Sequence, residues 1–471
     1  MKTKARTFER RDPLSGEVVT NAPASTVEDA IAIADTAAAA FPGWSAIGPS
    51  ERRAMLNKAA DILQARAAEF TELMMGETGA AAPWVQFNVK LAAGMLREAA
   101  SMTTQITGEV IPSDVPGCLS MAVRVPVGVV LGIAPWNAPI ILGIRSIAFP
   151  LACGNTVILK ASEISPGTQQ LIGQVLTEAG LPKGVVNVIT NDAPDNAAIV
   201  EALIAHPAVR RVNFTGSTRV GRIIGEMAGR HLKPVLLELG GKAPLVVLED
   251  ADLDEAVKAA AFGAFMHQGQ ICMSTERIVV DEKIADQFVA KLAVKARTLR
   301  TGNPRKEKGV VLGSLVDRKA AERVRELIND ALEKGAVLAA GGHIDGTIVS
   351  ATVVDKVNST MRIYHEETFG PSVSVVRVKD TEEAIRVAND TEYGLAAAVF
   401  GRDISRAIDV ARRIDAGSTH INGPTVQDEP QIPFGGMKAS GYGRFGSRAG
   451  IHEFAELRWI TIETKPHHYP F

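Results

Sequence analysis

Val209-Arg210-Arg211-Val212-Asn213-Phe214-Thr215-Gly216-Ser217-Thr218-Arg219-Val220-Gly221 is the stretch on which the fold turns. An apolar run, Val209 to Phe214, stops at a Thr-Gly-Ser-Thr turn and gives way to a helical pattern. A buried strand that ends in a small-residue turn and opens a helix is half of a βαβ unit. Backbone N–H groups and the dipole at such a helix start suit a pyrophosphate. The turn is not GxGxxG, and taken alone a Gly-Ser-Thr turn serves equally as an ordinary connection.

The same alternation extends in both directions. Val127 to Ala134, Thr156 to Leu159 and Val185 to Ile189 are short apolar runs separated by helical stretches, and Val235 to Leu239 is another. This predicts a mostly parallel sheet with helices on both faces. A second series follows Gly240-Gly241: Leu245 to Leu248, a helix Asp252 to Met266, Arg277 to Val280, a helix from Ile284 to about Leu299, and a charged amphipathic helix Asp317 to Lys334. Two consecutive open α/β domains are the economical reading. Residues 25 to 104 read as helical, with Ser50 as N-cap of the run from Glu51. Trp459 to Phe471 reads as extended and able to add a strand to a neighbouring sheet or subunit, because Thr461 and Glu463 alternate with Ile460 and Ile462.

Composition narrows the function. At 471 residues the chain has room for about three domains. Lys+Arg 51 against Asp+Glu 53 leaves a net charge of −2, so no basic excess exists for nucleic acid. With 46% hydrophobic residues the chain can bury a large core without disulfides or structural metals. Cys118, Cys153 and Cys272 are too scattered for a disulfide framework or a CxxC metal site, which points to a reducing compartment, the cytoplasm by default. The N-terminal MKTKARTFERRDP is charged but has no apolar segment behind it, unlike a secretory signal. Val125 to Ile144 lacks charge and is about long enough to span a bilayer. Pro126, Pro135 and Pro139 would break a spanning helix, however, so a buried strand and turn are expected and no membrane partner.

Chemistry concentrates in a few places. Cys272 lies in Gln268-Gly269-Gln270-Ile271-Cys272-Met273-Ser274-Thr275, a polar loop between a helix and a strand, from which a thiol can reach a cleft or simply be buried. A nucleophilic thiol needs a base or a charge to become thiolate. His267 is one candidate, though at a helix end it also suits capping. Glu238 is the better one: it interrupts an apolar strand ending at Gly240-Gly241, where burial would raise its pKa toward a general base's range. Lys160 and Glu163 follow the strand Thr156 to Leu159, at the crevice where open α/β sheets bind ligands. A carboxylate there can accept from ribose hydroxyls and repel a 2′-phosphate, favouring NAD over NADP.

Five separated segments weigh more together than alone: Pro135-Trp136-Asn137, Lys160-Ala161-Ser162-Glu163, Phe214-Thr215-Gly216-Ser217-Thr218, Glu238-Leu239-Gly240-Gly241-Lys242 and Gly269-Gln270-Ile271-Cys272. With Glu366-Glu367-Thr368-Phe369-Gly370-Pro371 and Pro433-Phe434-Gly435-Gly436, over nearly the whole chain, they resemble the NAD(P)-dependent aldehyde dehydrogenase superfamily. The resemblance implies a Rossmann-like NAD-binding domain (1–107 and 127–240), a catalytic domain (241–454) and a small β oligomerisation element (108–126 and 455–471). It makes Cys272 the nucleophile, Glu238 the general base and Asn137 the side-chain donor of an oxyanion hole, the Cys272 N–H being the second donor. It puts Trp136, Lys160, Glu163, Gly216, Ser217, Glu367 and Phe369 against NAD, requires no metal, and implies a homodimer or homotetramer. Two departures stand out. Phe445 follows Gly443-Arg444 where many relatives carry an acid, and the extra hairpin that many carry before the segment matching Thr7-Phe8-Glu9 is expected to be missing.

Within the family the chain is most similar to the aromatic-aldehyde branch, with salicylaldehyde the first expected substrate and vanillin and benzaldehyde close to it. Trp84 offers a flat wall for a ring, Ala138 leaves room, and Arg145 can face a phenolic hydroxyl; core packing for Trp84 and an interdomain salt bridge for Arg145 are the alternatives. Other functions stay open at this stage: an aldehyde dehydrogenase of broader or aliphatic specificity, a coenzyme A-acylating dehydrogenase, a Cys–His hydrolase using Cys272 and His267, or a noncatalytic binding protein.

Overall fold

The computed structural model describes residues 6–466 and 468–471, so residues 1–5 of the charged N-terminal stretch lie outside the described residues. An antiparallel hairpin of Thr7–Arg11 and Val18–Pro23 comes first, and four helices follow: α1 (Val27–Ser45), α2 (Pro49–Ala65), α3 (Ala67–Thr78) and α4 (Ala82–Met102). Thr26 and Asp29 form a capping box at the start of α1. Ser50 does not cap α2. Pro49, which needs no amide partner, takes the first helical position and moves the cap to Gly48.

Strands β1 (Glu109–Ile111) and β2 (Cys118–Pro126) follow, and then the alternation read from the sequence. It runs β3 (Val129–Ile133), α5 (Pro139–Ala152), β4 (Thr156–Lys160), α6 (Pro166–Glu178), β5 (Val186–Ile189), α7 (Asn196–Ala205), β6 (Val209–Thr215), α8 (Thr218–Arg230) and β7 (Val235–Glu238). The uncharged stretch Val125 to Ile144 is thus divided among β2, β3 and α5, and no described helix is long and apolar enough to cross a membrane. The sheet order is β7-β6-β3-β4-β5, all parallel. The chain moves outward one way from β3 through β4 to β5, then returns to β6 and β7 on the other side. That reversal opens the crevice at the strands' C-terminal ends.

The second series is β8 (Ala243–Val247), α9 (Leu253–Phe265), β9 (Thr275–Asp281), α10 (Glu282–Arg297), α11 (Arg318–Glu333), β10 (Val337–Ala340), β11 (Thr352–Asp355), β12 (Ser372–Val378), β13 (Ala396–Phe400) and β14 (Ser418–Ile421). They form a seven-stranded sheet, β10-β11-β12-β9-β8-β13-β14, parallel except for β10. Each of its faces carries a buried apolar layer. Only Leu239 to Lys242 separate β7 from β8, so the C-terminal edge of the first sheet meets the N-terminal edge of the second.

Residues 430–454 touch both units: Met437–Lys438 pairs antiparallel with Tyr393–Gly394 of the second, while the flanking residues pack on the first. There β15 (Gly441–Tyr442) pairs antiparallel with β7, and α12 (Ser447–Phe454) lies on α5. Phe434, Phe445 and Phe454 enter the core built by α2, α4 and α5, because those helices leave an apolar face that the first sheet does not cover. The C-terminal extended stretch begins earlier than expected, as β16 (Ala455–Glu463), and pairs antiparallel with β2 along its length. With β1 the two make a three-stranded sheet at the edge of the molecule.

Candidate active site

The loop that carries Cys272 is strained and pinned. After α9 the residues His267 (φ 50), Gln268 (φ 55) and Gly269 (φ 69) are left-handed. For the two non-glycine residues this costs about 1–3 kcal/mol each unless the surroundings enforce it. They do. His267 stacks on Trp84 with ring centroids 5.1 Å apart, and Gln268 Nε2 donates to the Ser314 carbonyl at 2.8 Å. The Val316 N–H donates to Gln270 Oε1 at 3.0 Å, and Ser274 Oγ donates to the Gly269 carbonyl at 3.0 Å. A Cβ on Gly269 would stand 2.2 Å from the Gly370 carbonyl oxygen, so no other residue fits.

Asn137 follows β3 and is buried. Its Nδ2 donates to the Gln270 carbonyl at 2.9 Å, and its own carbonyl accepts from Trp84 Nε1 at 2.9 Å. An amide has two N–H donors. One locks the side chain against the cysteine loop and the other is free to serve an oxyanion. The Cys272 N–H has no backbone acceptor among the described residues.

Glu238 ends β7, fully buried, with neither carboxylate oxygen in a formed hydrogen bond. Burial pushes its pKa up to about 7, against the pull of Arg145 and of the nearby Cys272 thiol, while Asp428 adds to the rise. The Cys272 thiol is itself held well above its ordinary value by burial, then by the charges of Glu238 and Glu367, with Arg145 opposing. The resting site therefore keeps the proton on sulfur and sets beside it a carboxylate able to take it near neutral pH.

Arg145, on α5, is buried and paired with Asp428, and its guanidinium lies 4.2 Å from the centre of the Phe434 ring. The salt bridge weighed for it exists. Asp428 itself had no signal in the sequence, being an acid in a polar loop. Trp84 is almost wholly buried against His267 and Phe87, and Ala138 is the N-cap of α5. His267 is buried too, which drives its pKa down to about 3 and makes it a weak base.

On the other side of Cys272 the crevice is lined by strand ends. Lys160 Nζ donates to Asn196 Oδ1 at 2.5 Å and stands 3.7 Å from Glu163 Oε2; burial lowers the lysine's pKa. The Gly216 N–H donates to the Glu238 carbonyl at 3.0 Å, and Ser217 caps α8 by accepting from the Val220 N–H at 3.4 Å. A Cβ on Gly216 would meet the Phe214 ring at 2.4 Å, so the turn is bare of side-chain bulk. Bare backbone at a helix N-terminus, with the Glu163 carboxylate two strands away along the sheet, fits a dinucleotide. Glu367 Oε1 accepts from the Gly241 N–H at 2.9 Å, and burial with the Glu276 charge raises its pKa to about 8. Phe369, left-handed at φ 50, meets Trp136 edge to face at 5.9 Å. Phe445, the residue after Gly443-Arg444, is buried against Phe454. No cluster of metal-binding side chains occurs among the described residues.

Comparison with known proteins gives one answer throughout. The profile described as the aldehyde dehydrogenase family matches residues 1–460. A vanillin dehydrogenase of Pseudomonas fluorescens is 62% identical over 99% of this chain and 96% of its own. The crystal structure of a salicylaldehyde dehydrogenase from Pseudomonas putida G7, complexed with salicylaldehyde, superposes with a TM-score of 0.97 at 53% identity, covering 99% of this chain and 96% of that one. PnpE from Pseudomonas sp. WBC-3, also solved with nicotinamide adenine dinucleotide, is 36% identical over 99% of this chain and 96% of its own, with a TM-score of 0.94.

Proposed function

The chain belongs to the aldehyde dehydrogenase family, and from that premise we propose that it oxidises aromatic aldehydes, hydroxylated benzaldehydes first among them, to carboxylic acids with NAD. The observation that carries the reading is the buried Glu238 carboxyl facing Cys272, with the Asn137 amide locked to the same loop. Cys272 gives its proton to Glu238 and the sulfur adds to the aldehyde carbon. The carbonyl electrons move to oxygen, where Asn137 Nδ2 and the Cys272 N–H receive the charge. Such preorganised donors are worth about 2.7–4 kcal/mol of barrier each. The nicotinamide cofactor supplies the hydride acceptor. Glu238 first passes the thiol's proton to solvent; as a carboxylate again it takes a proton from a water that attacks the thioester on Cys272, the C–S bond breaks, the sulfur regains a proton and the acid leaves.

Lys160, Glu163, Gly216 and Ser217 are the residues that would hold the adenosine ribose and pyrophosphate, with Trp136, Glu367 and Phe369 at the nicotinamide end. Glu163 favours NAD because a 2′-phosphate would meet its charge. Trp84, which donates to the Asn137 carbonyl, Ala138 and Arg145 are the proposed pocket walls. Identity runs higher to the vanillin enzyme than to the salicylaldehyde one, so the aromatic class is better supported than salicylaldehyde within it. The hydrolase alternative loses support with His267, a weak base stacked on Trp84. The edge sheet β16-β2-β1 is the proposed assembly surface of a homodimer or homotetramer.

A panel of salicylaldehyde, vanillin, benzaldehyde and straight-chain aldehydes with NAD and NADP, read by NADH or NADPH absorbance, tests the proposal. The expected order is aromatic over aliphatic in kcat/KM by about tenfold or more, the range a shaped pocket supplies. Cys272→Ser should abolish turnover. Aliphatic preference, or full activity in that variant, would overturn the substrate or the nucleophile respectively.

A further inference from the structure

Four residues after Cys272, Glu276 is the second residue of β9, its carboxylate buried and unused by the chemistry above. Lys242, the residue before β8, is buried beside it, and its Nζ donates to Glu276 Oε2 at 2.7 Å and to Thr368 Oγ1 at 3.3 Å. The same carboxylate accepts the Thr368 N–H at 2.9 and 3.1 Å and the Phe369 N–H at 3.0 Å. One carboxylate thus gathers an ammonium from the base strand's extension and two backbone donors from the loop that carries Glu367 and Phe369. Its own backbone is held as well, since Ser374 Oγ donates to the Glu276 carbonyl at 2.9 Å.

This collection of donors is more than a surface ion pair. Phe369 is left-handed, a conformation a phenylalanine keeps only when its surroundings over-determine it, and the bond from its N–H to Glu276 does so directly. On the other flank the Gly241 N–H holds Glu367. The loop is therefore clamped from below by Glu276 and from the side by Gly241, and Phe369 is set edge-on to Trp136 at the end of β3.

We propose that Lys242 and Glu276 are a buried positioning pair that fixes the 367–369 loop over the cleft, so that Glu276 governs the nicotinamide end of cofactor binding through Glu367 and Phe369. The proposal rests on the reading of those two residues as the nicotinamide-ribose side. It makes a selective claim: the adenosine and pyrophosphate contacts, at β4 and the start of α8, lie on other elements and do not depend on the pair.

The test compares NAD with ADP, which lacks both the nicotinamide and its ribose, by calorimetric titration of the purified full chain. Glu276→Gln keeps the shape but puts an amide donor among donors. It should weaken NAD about tenfold, the worth of one charge-assisted hydrogen bond, and leave ADP within about twofold. Lys242→Met, which leaves both backbone donors on the carboxylate, should show the same selectivity with a smaller loss, and it carries the test if Glu276→Gln does not fold. Val280→Ala, a core truncation in the same strand, should lower the melting temperature and leave the NAD to ADP ratio unchanged. Equal weakening of both ligands by the Glu276 and Lys242 variants, or no weakening, overturns the pair's positioning role alone. A wild-type chain that binds ADP as tightly as NAD and still turns over overturns the reading of the loop beneath it.

Discussion

Glu238 shows how far one residue can be read and where reading stops. A lone acid closing an apolar strand has to be buried, and burial raises a carboxyl; both follow from Val235-Leu236-Leu237-Glu238 before any coordinates. The pKa of about 7, against an ordinary value of 4.5, has two consequences. The first concerns rate: kcat should rise with pH through about 7 as the base ionises, and Glu238→Gln should cost about 10²–10⁴-fold and let acyl-enzyme accumulate, visible by mass spectrometry. The second concerns stability. Between these two pKa values the folded chain binds the proton that the unfolded chain has lost, so the contribution of Glu238 to stability falls as pH rises and is most unfavourable above about 7. Glu238→Gln should therefore melt on the order of a few degrees higher than wild type at pH 8 and nearly level with it at pH 4.5. Glu276 and Asp428 gave no comparable signal. Their roles depend on Lys242, Thr368 and Phe369 in one case and Arg145 in the other, partners that lie far away along the chain.

At the scale of elements, the strand–turn–helix pattern of 209–221 was legible because a buried parallel strand and a following helix have different apolar periods. The short strands at 437–442 were not, since two-residue bridges leave no period, and the contact of 430–454 with the first unit is fixed by pairing with β7 and by packing on α4 and α5. The close approach of the β7–β8 connection to the cysteine loop is likewise a property of the assembled fold. A Cβ on Gly241 would stand 2.3 Å from the Cys272 carbonyl oxygen, a backbone atom that cannot swing aside. Gly241→Ala should therefore push the nucleophile out of line and lower kcat/KM by about 10²-fold, the penalty for displacing reacting groups by about 1 Å. Gly43→Ala is the control: inside α1 a Cβ there meets nothing within 4 Å, so activity should hold and stability stay level or rise by up to about 1 kcal/mol.

Over the whole molecule the three-stranded edge sheet carries the apolar surface least explained by the fold of one chain. By the strand register Leu457 and Trp459, the latter 76% exposed, lie on one face of it, and Val110, 73% exposed, with Ile460 and Ile462 on the other. Exposed apolar side chains on both faces of a paired sheet are the basis for proposing it as an assembly surface. Trp459→Glu with Val110→Lys should shift sedimentation toward the 50.0 kDa protomer without moving the near-neutral titration of Glu238; unchanged sedimentation, or a wild type already at that mass, would remove this surface from the assembly. By itself the sequence determined the α/β alternation, the strand-end positions of Asn137, Lys160, Gly216 and Glu238, and the loop position of Cys272, because local apolar periods and turn chemistry act over a few residues. The tertiary structure alone decided that Gly241 lies against the Cys272 carbonyl, that Arg145 is claimed by Asp428, and that Glu276 gathers the 367–369 loop. Those outcomes depend on burial and on hydrogen bonds between residues far apart in the chain, and no short-range pattern encodes either.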